Sequence, residues 1–195
     1  MRFSRVEFLV EERSMQLFLN DLLPFILPEG YVVNQSVFIR PHEGKSDLRL
    51  ALGRWVPIIR NWHESAAIIV VHDQDAADCA EVKTTLRQIC EERGGCPILI
   101  RIACRELENW YLGDLDALYG VYPTFNIAQI RNNTRYRIPD NTYGAAECKR
   151  LVPEFNKTEA AQEIMLYMMD RLANNRSESF RQTVSGIQRF LDSEE

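Results

Sequence analysis

Hydrophobic and polar positions alternate between two rhythms over the first hundred residues. Residues 2–10 alternate and then turn apolar at Val6, Phe8, Leu9 and Val10, the pattern of a central strand. Met15, Phe18, Leu19, Leu22, Leu23 and Ile26 recur at three and four, so a helix capped by Ser14 is predicted, stopped by Pro28 and Gly30. Residues 31–39 read as a second strand. A second helix, capped by Ser46, buries Leu48, Leu52, Trp55, Val56 and Ile59, with Pro57 expected to kink or break it. Residues 66–71 form a short, largely β-branched run that suits a strand buried on both faces of a parallel sheet. Asp78 caps a third helix carrying Val82, Leu86, Ile89 and Cys90, which Gly94 and Gly95 end. Residues 97–103 are the fourth strand, followed by a short helix that Trp110, Tyr111 and Leu112 pack onto the sheet.

Strand alternating with helix predicts an α/β fold: a mostly parallel, four-stranded, Rossmann-like sheet flanked by helices. That rhythm ends near residue 115. Residues 116–195 are expected as a mostly helical extension packed on the 1–115 core. Within it, 116–156 has no clear period. Two closing helices carry Ala161, Ile164, Met165, Met168 and Leu172, then Phe180, Val184, Ile187 and Leu191 behind a Ser177 cap.

Length and composition fit one domain with a proper core: 195 residues, 46% hydrophobic. No run approaches the roughly 20 apolar residues of a membrane span, and the N-terminus lacks a signal peptide's apolar stretch. Five cysteines, an odd count with no C-x-x-C, predict reduced thiols and a cytoplasmic protein. A net charge of −5 is unusual for a chain that grips nucleic acid alone. The most basic stretch carries Arg131, Arg135 and Arg137 among Tyr and Asn, a candidate phosphate-contact surface or a solvated loop.

The candidate chemistry is acidic. Three of the four predicted strands end in carboxylates: Glu11 with Glu12, Asp73 with Asp75, and Glu106 with Glu108. One acidic turn is ordinary and would serve as a helix cap. Three on one sheet edge repel unless cations neutralise them. Hard oxygen ligands suit Mg²⁺ or Mn²⁺, and paired ions of this kind promote phosphoryl transfer. Gly44, Lys45 and Ser46 look like the tail of a P-loop, but Ile39 stands where the first glycine is needed, so a P-loop nucleotidase is excluded. Lys45 stays a candidate phosphate contact. A phosphatase using Asp73 as nucleophile wants Thr or Val after D-x-D, whereas Ala76 and Ala77 follow. No G-x-S-x-G is present, and His42, His63 and His72 lack metal-ligand spacing.

Glu11 after the first strand and D-x-D after the third resemble the TOPRIM fold of topoisomerases, primases and overcoming-lysogenization-defect (OLD) nucleases. More narrowly, the chain resembles the bacterial TOPRIM-related family called domain of unknown function 4276, through E-F-L-V-E-E-R-S-M (7–15), G-K-S-D-L (44–48), V-V-H-D-Q-D-A-A-D-C (70–79), R-I-A-C-R-E-L-E-N-W-Y-L-G-D (101–114) and N-R-S-E-S-F (175–180). The resemblance implies a TOPRIM-like fold. It implies that Glu11 is a metal ligand or general base, that Asp73 and Asp75 are metal ligands, and that Glu108, with Glu106 second, supplies the later acidic position. Lys157 would stabilise phosphate charge. OLD-like sequences often read V-E-G-x-[ST]-E at the first motif; here Glu12 replaces the glycine and Met15 the second glutamate. The implied activity is metal-dependent nucleic-acid cleavage, with DNA as substrate, in a phage-defence pair with an ABC-type ATPase. The alternative is an inactive TOPRIM-like scaffold for such an ATPase.

Overall fold

A computed structural model of the chain describes residues 1–192. Strand and helix alternate: β1 (Arg5–Val10), α1 (Arg13–Ile26), β2 (Val37–Pro41), α2 (Lys45–Arg60), β3 (Ala66–Asp73), α3 (Cys79–Glu92) and β4 (Ile98–Ala103). The strands form one all-parallel, four-stranded sheet in the order β2-β1-β3-β4, a Rossmann-like arrangement. Register sets the strand ends level. Val10 lies beside Pro41 and Val71, and Asp73 beside Ala103.

All eight residues of β3 are buried, as its unbroken apolar run requires. On one face Leu9, Ile68, Val70, Ile100 and Ile102 pack under Leu48, Leu52 and Val56 of α2 and Val82 and Leu86 of α3. On the other, Val6, Phe8, Ile69 and Val71 share a larger core with Phe18 and Leu22 of α1.

The second half is built of short pieces: α4 (Leu107–Gly113), α5 (Leu115–Val121), α6 (Ile127–Arg131), α7 (Gly144–Leu151), α8 (Lys157–Glu163), α9 (Met165–Met168) and the long α10 (Glu178–Asp192). Ile164, Met165, Met168, Phe180, Ile187 and Leu191 enter the same core as α1, so the extension shares the interior of the sheet domain. No helix among the described residues is long and apolar enough to cross a membrane.

Several boundaries differ from the sequence expectation. The second strand starts at Val37, because residues 32–37 form a tight turn with Asn34 at φ 64°. Glu12, not Ser14, is the N-cap of α1; the Ser14 hydroxyl donates to the Glu12 carboxylate instead. Gly44, not Ser46, precedes α2. Pro57 does not end α2, which runs on to Arg60. It sits near the helix end, where its missing N–H costs a single ladder bond. The helix expected around 161–172 is segmented into α8, α9 and a 3₁₀ stretch in which Arg171 is non-helical. The Asp78 and Ser177 caps form as expected: Asp78 accepts from Ala80 N at 2.8 Å, and Ser177 Oγ from Phe180 N at 3.1 Å.

Candidate functional site

After β1 the chain moves outward to β2 and then crosses to β3 on the other side. The strand order therefore reverses between the carboxyl ends of β1 and β3, where open α/β sheets keep their ligand crevice. Glu11 directly follows β1 and Asp73 ends β3, so both stand at this point. Glu108 arrives from the first turn of α4, just after β4. Lys157, the first residue of α8, reaches in from the extension, with Nζ 3.1 Å from Glu108 Oε1 and 3.6 Å from Glu12 Oε1. On the outer side Lys45 pairs with Asp75. The turn before α2 is tied to β1 by Gly44 N donating to Glu11 O at 3.0 Å. Gly44 holds φ 89° there, a conformation that favours glycine. Asp75 holds φ 53°, which Asp tolerates better than most residues.

The site thus has an inner and an outer half, joined by Glu11. Asp73 and Glu108 are buried, Glu108 completely, whereas the Asp75 side chain is 40% exposed. Glu11 Oε2, Asp73 Oδ1 and Glu108 Oε2 are buried without a hydrogen-bond partner. Burial pushes the Asp73 pKa well above the usual carboxylate range, and the Glu108, Glu11 and Glu12 charges push it further. Burial also raises Glu11, against the pull of Lys45, and raises Glu108, against the pull of Lys157. Burial alone would lower Lys157, but Glu108 and Glu12 outweigh it and hold its ammonium above the ordinary value.

His72 is fully buried, and burial lowers its pKa, so it is neutral. Its Nδ1 faces the Asp73 carbonyl, which can only accept, and therefore carries the proton. The same nitrogen lies 3.4 Å from Glu11 Oε2, and Nε2 is left buried and unpartnered.

Glu11, Asp73, Asp75, Glu108, Lys45 and Lys157, singled out in the sequence, are brought together. Three others are not. Glu106 is the N-cap of α4, and its Oε2 accepts from Ala145 N at 2.8 Å, an anchor for α7. Arg131 pairs with Asp116, and Arg135 with Glu147. Both guanidinium groups thus serve ion pairs within the extension while remaining exposed.

Sequence reading missed Tyr111, assigned there to packing alone. It is fully buried, its hydroxyl has no hydrogen-bond partner, and burial followed by the Glu108 charge raises its pKa. Its spacing of three from Glu108 places both on one face of α4, a legible signal.

Oxygen-only donors with orphaned, buried atoms have the chemistry a hard divalent cation needs. Among the described residues, however, no group of three or more His, Cys, Asp or Glu side chains is arranged to hold a metal ion. Lys157 and Lys45 supply the positive charge instead. Compared with protein-family models, with curated proteins and with solved structures, the chain finds no match.

Proposed function

We propose that the chain is a Mg²⁺- or Mn²⁺-dependent TOPRIM-type nuclease subunit that hydrolyses phosphodiester bonds, with DNA as substrate and an ABC-type ATPase as phage-defence partner. One observation carries this reading: three carboxylates, buried Asp73 and Glu108 and partly buried Glu11, converge on the switch point of a parallel sheet, each with a buried oxygen that has no hydrogen-bond partner. An orphaned buried carboxylate costs several kcal/mol unless it is neutralised. Such an arrangement persists where a ligand completes it.

Glu11, Asp73 and Glu108 would hold the cation, with Asp75 at the exposed rim. The cation would supply Lewis-acid stabilisation of charge developing on phosphate. Lys45 and Lys157 bring positive charge to either side of the crevice for the same phosphate. In the alternative role of general base, Glu11, its pKa raised, would take a proton from an attacking water instead of holding the cation. The net charge of −5, and the commitment of Arg131 and Arg135 to ion pairs, leave a partner to supply the grip on nucleic acid.

A second reading, an inactive scaffold for the ATPase, is favoured by Lys157, which already pairs with Glu108 and Glu12 where a cation would sit. Supercoiled plasmid incubated with the chain and Mn²⁺ separates the two, beside an EDTA control and an Asp73→Ala, Asp75→Ala variant. Nicking that needs both the metal and the aspartates is the expected result. No cleavage with or without an ATPase partner, and no Mn²⁺ bound in calorimetry, leaves the scaffold.

A further inference from the structure

Cys79 opens α3 and Cys104 directly follows β4, and their sulfurs lie 3.3 Å apart. At the far end of the same helix and strand, Cys90 and Cys96 face each other with sulfurs 3.9 Å apart. Four of the five cysteines therefore form two facing pairs, one at each end of the α3–β4 contact, and all are free thiols. A separation of 25 residues hid the first pair from sequence spacing.

The two pairs differ in access. Cys79 and Cys104 line a cavity of about 380 Å³, together with Lys83, Arg101 and Ser179, which admits a small polar oxidant. Cys90 is buried. Burial, then the neighbouring Cys79 thiol, pushes Cys104 up to about 12, so Cys104 keeps its proton at neutral pH.

We propose that Cys79 and Cys104 are a peroxide-oxidised modification site, closing to a disulfide that ties the turn after β3 to the segment after β4. Cys79 sulfur attacks one oxygen of hydrogen peroxide, breaks the O–O bond and becomes a sulfenic acid, releasing water. Cys104 sulfur then attacks the sulfenic sulfur, displaces its hydroxyl as a second water and forms the S–S bond. Two thiols and one peroxide give one disulfide and two waters. The sulfurs need only close by roughly 1.3 Å to reach bonding distance.

The bond would act on segments that backbone hydrogen bonds already join. Gln74 N donates to Ala103 O, and Asp75 N to Arg105 O, both at 2.9 Å. Cys79 lies four residues after Asp75, and Cys104 four residues before Glu108. Oxidation would fix the spacing of the two acidic segments covalently, whether or not they hydrolyse anything.

The test uses the full chain, treated with one equivalent of hydrogen peroxide, capped with N-ethylmaleimide and digested with trypsin without reduction. Cleavage at Lys83, Arg87, Arg93, Arg101 and Arg105 puts the four thiols on separate peptides. The expected result is a dithiothreitol-reversible Cys79–Cys104 cross-linked peptide, formed ahead of any Cys90–Cys96 link. The oxidised chain should also melt roughly 5 °C higher than the reduced one. Cys79→Ser should abolish the cross-link, and the wild-type peptide map stands as the test should that variant fail to fold. A Cys90–Cys96 link alone, links only between chains, or sulfinic acid at Cys79 without a cross-link would each overturn the proposal.

Discussion

Two glutamates lie four residues apart, Glu7 buried within β1 and Glu11 partly buried just beyond its end, and they live differently. Glu7, in mid-strand, is fully buried with both oxygens satisfied: Arg5 meets Oε1 at 2.6 Å and Arg40 meets Oε2 at 3.0 Å. The two guanidinium groups stack in turn on Phe38, with Trp62 and Trp55 beyond them. Glu11, at the strand end, keeps an oxygen without a hydrogen-bond partner and faces other carboxylates. The Glu147 cluster in the extension behaves like Glu7, with Arg135, Arg150 and Tyr136 around one carboxylate. Burial of acid is thus compatible with complete pairing in this fold. Where pairing stays incomplete, the cause is local, and function is the economical account of it.

The comparison can be broken most forcefully at Asp73. Asp73→Asn should lower metal-dependent cleavage by at least about 1000-fold, judged from the loss of a principal charge-stabilising group, without lowering the urea midpoint. A variant that cleaves normally would put Asp73 in the same structural class as Glu7. Next comes Glu7→Ala, which strands two arginines beside a buried gap and should cost about 2 kcal/mol of unfolding free energy, less than a fully buried pair because both arginines reach solvent. Cleavage per folded molecule should not change.

Glu11→Gln should do the opposite to stability, raising the metal-free chain by about 1 kcal/mol at neutral pH, because it removes a carboxylate held against its neighbours. A pH series sharpens this. Glu11, Asp73 and Glu108 have folded-state pKa values raised above the roughly 4 of the unfolded chain. The folded state binds more protons between those limits, so stability falls as pH rises from about 4 through the raised values. Denaturant titrations should show that fall, a shallower one in Glu11→Gln, and its reversal by Mg²⁺ at neutral pH. The smallest effect belongs to Asp78, whose carboxylate is satisfied by helix amides. Asp78→Ala should cost about 1 kcal/mol, read by thermal melting, and leave cleavage in place.

The same contrast explains what was legible in sequence. The parallel sheet was legible because 66–71 is apolar without interruption, and α1 because its period is sustained. Glu11, Asp73 and Glu108 were legible because strand ends in a parallel sheet share one edge. The starts of α1 and α2 were not, because Ser14 and Ser46 resemble caps while the backbone begins its turn earlier, at Glu12 and Gly44. The fate of Arg131 and Arg135 was hidden because Asp116 and Glu147 lie 15 and 12 residues away, beyond any helical spacing. The Lys157 ammonium joins a glutamate 49 positions earlier through tertiary packing alone.

That last contact also has a consequence for biosynthesis. A chain emerging from the ribosome exposes Glu11, Asp73 and Glu108 well before Lys157 is translated, and N-terminal segments begin to fold first. The nascent sheet must therefore carry its acidic edge without the lysine, with its carboxyls protonated, solvated or bound to free cations. Lys45 serves the outer half from early on, but only the arrival of α8 hands the inner half its covalently attached counter-charge, so the edge is finished by the last third of the chain.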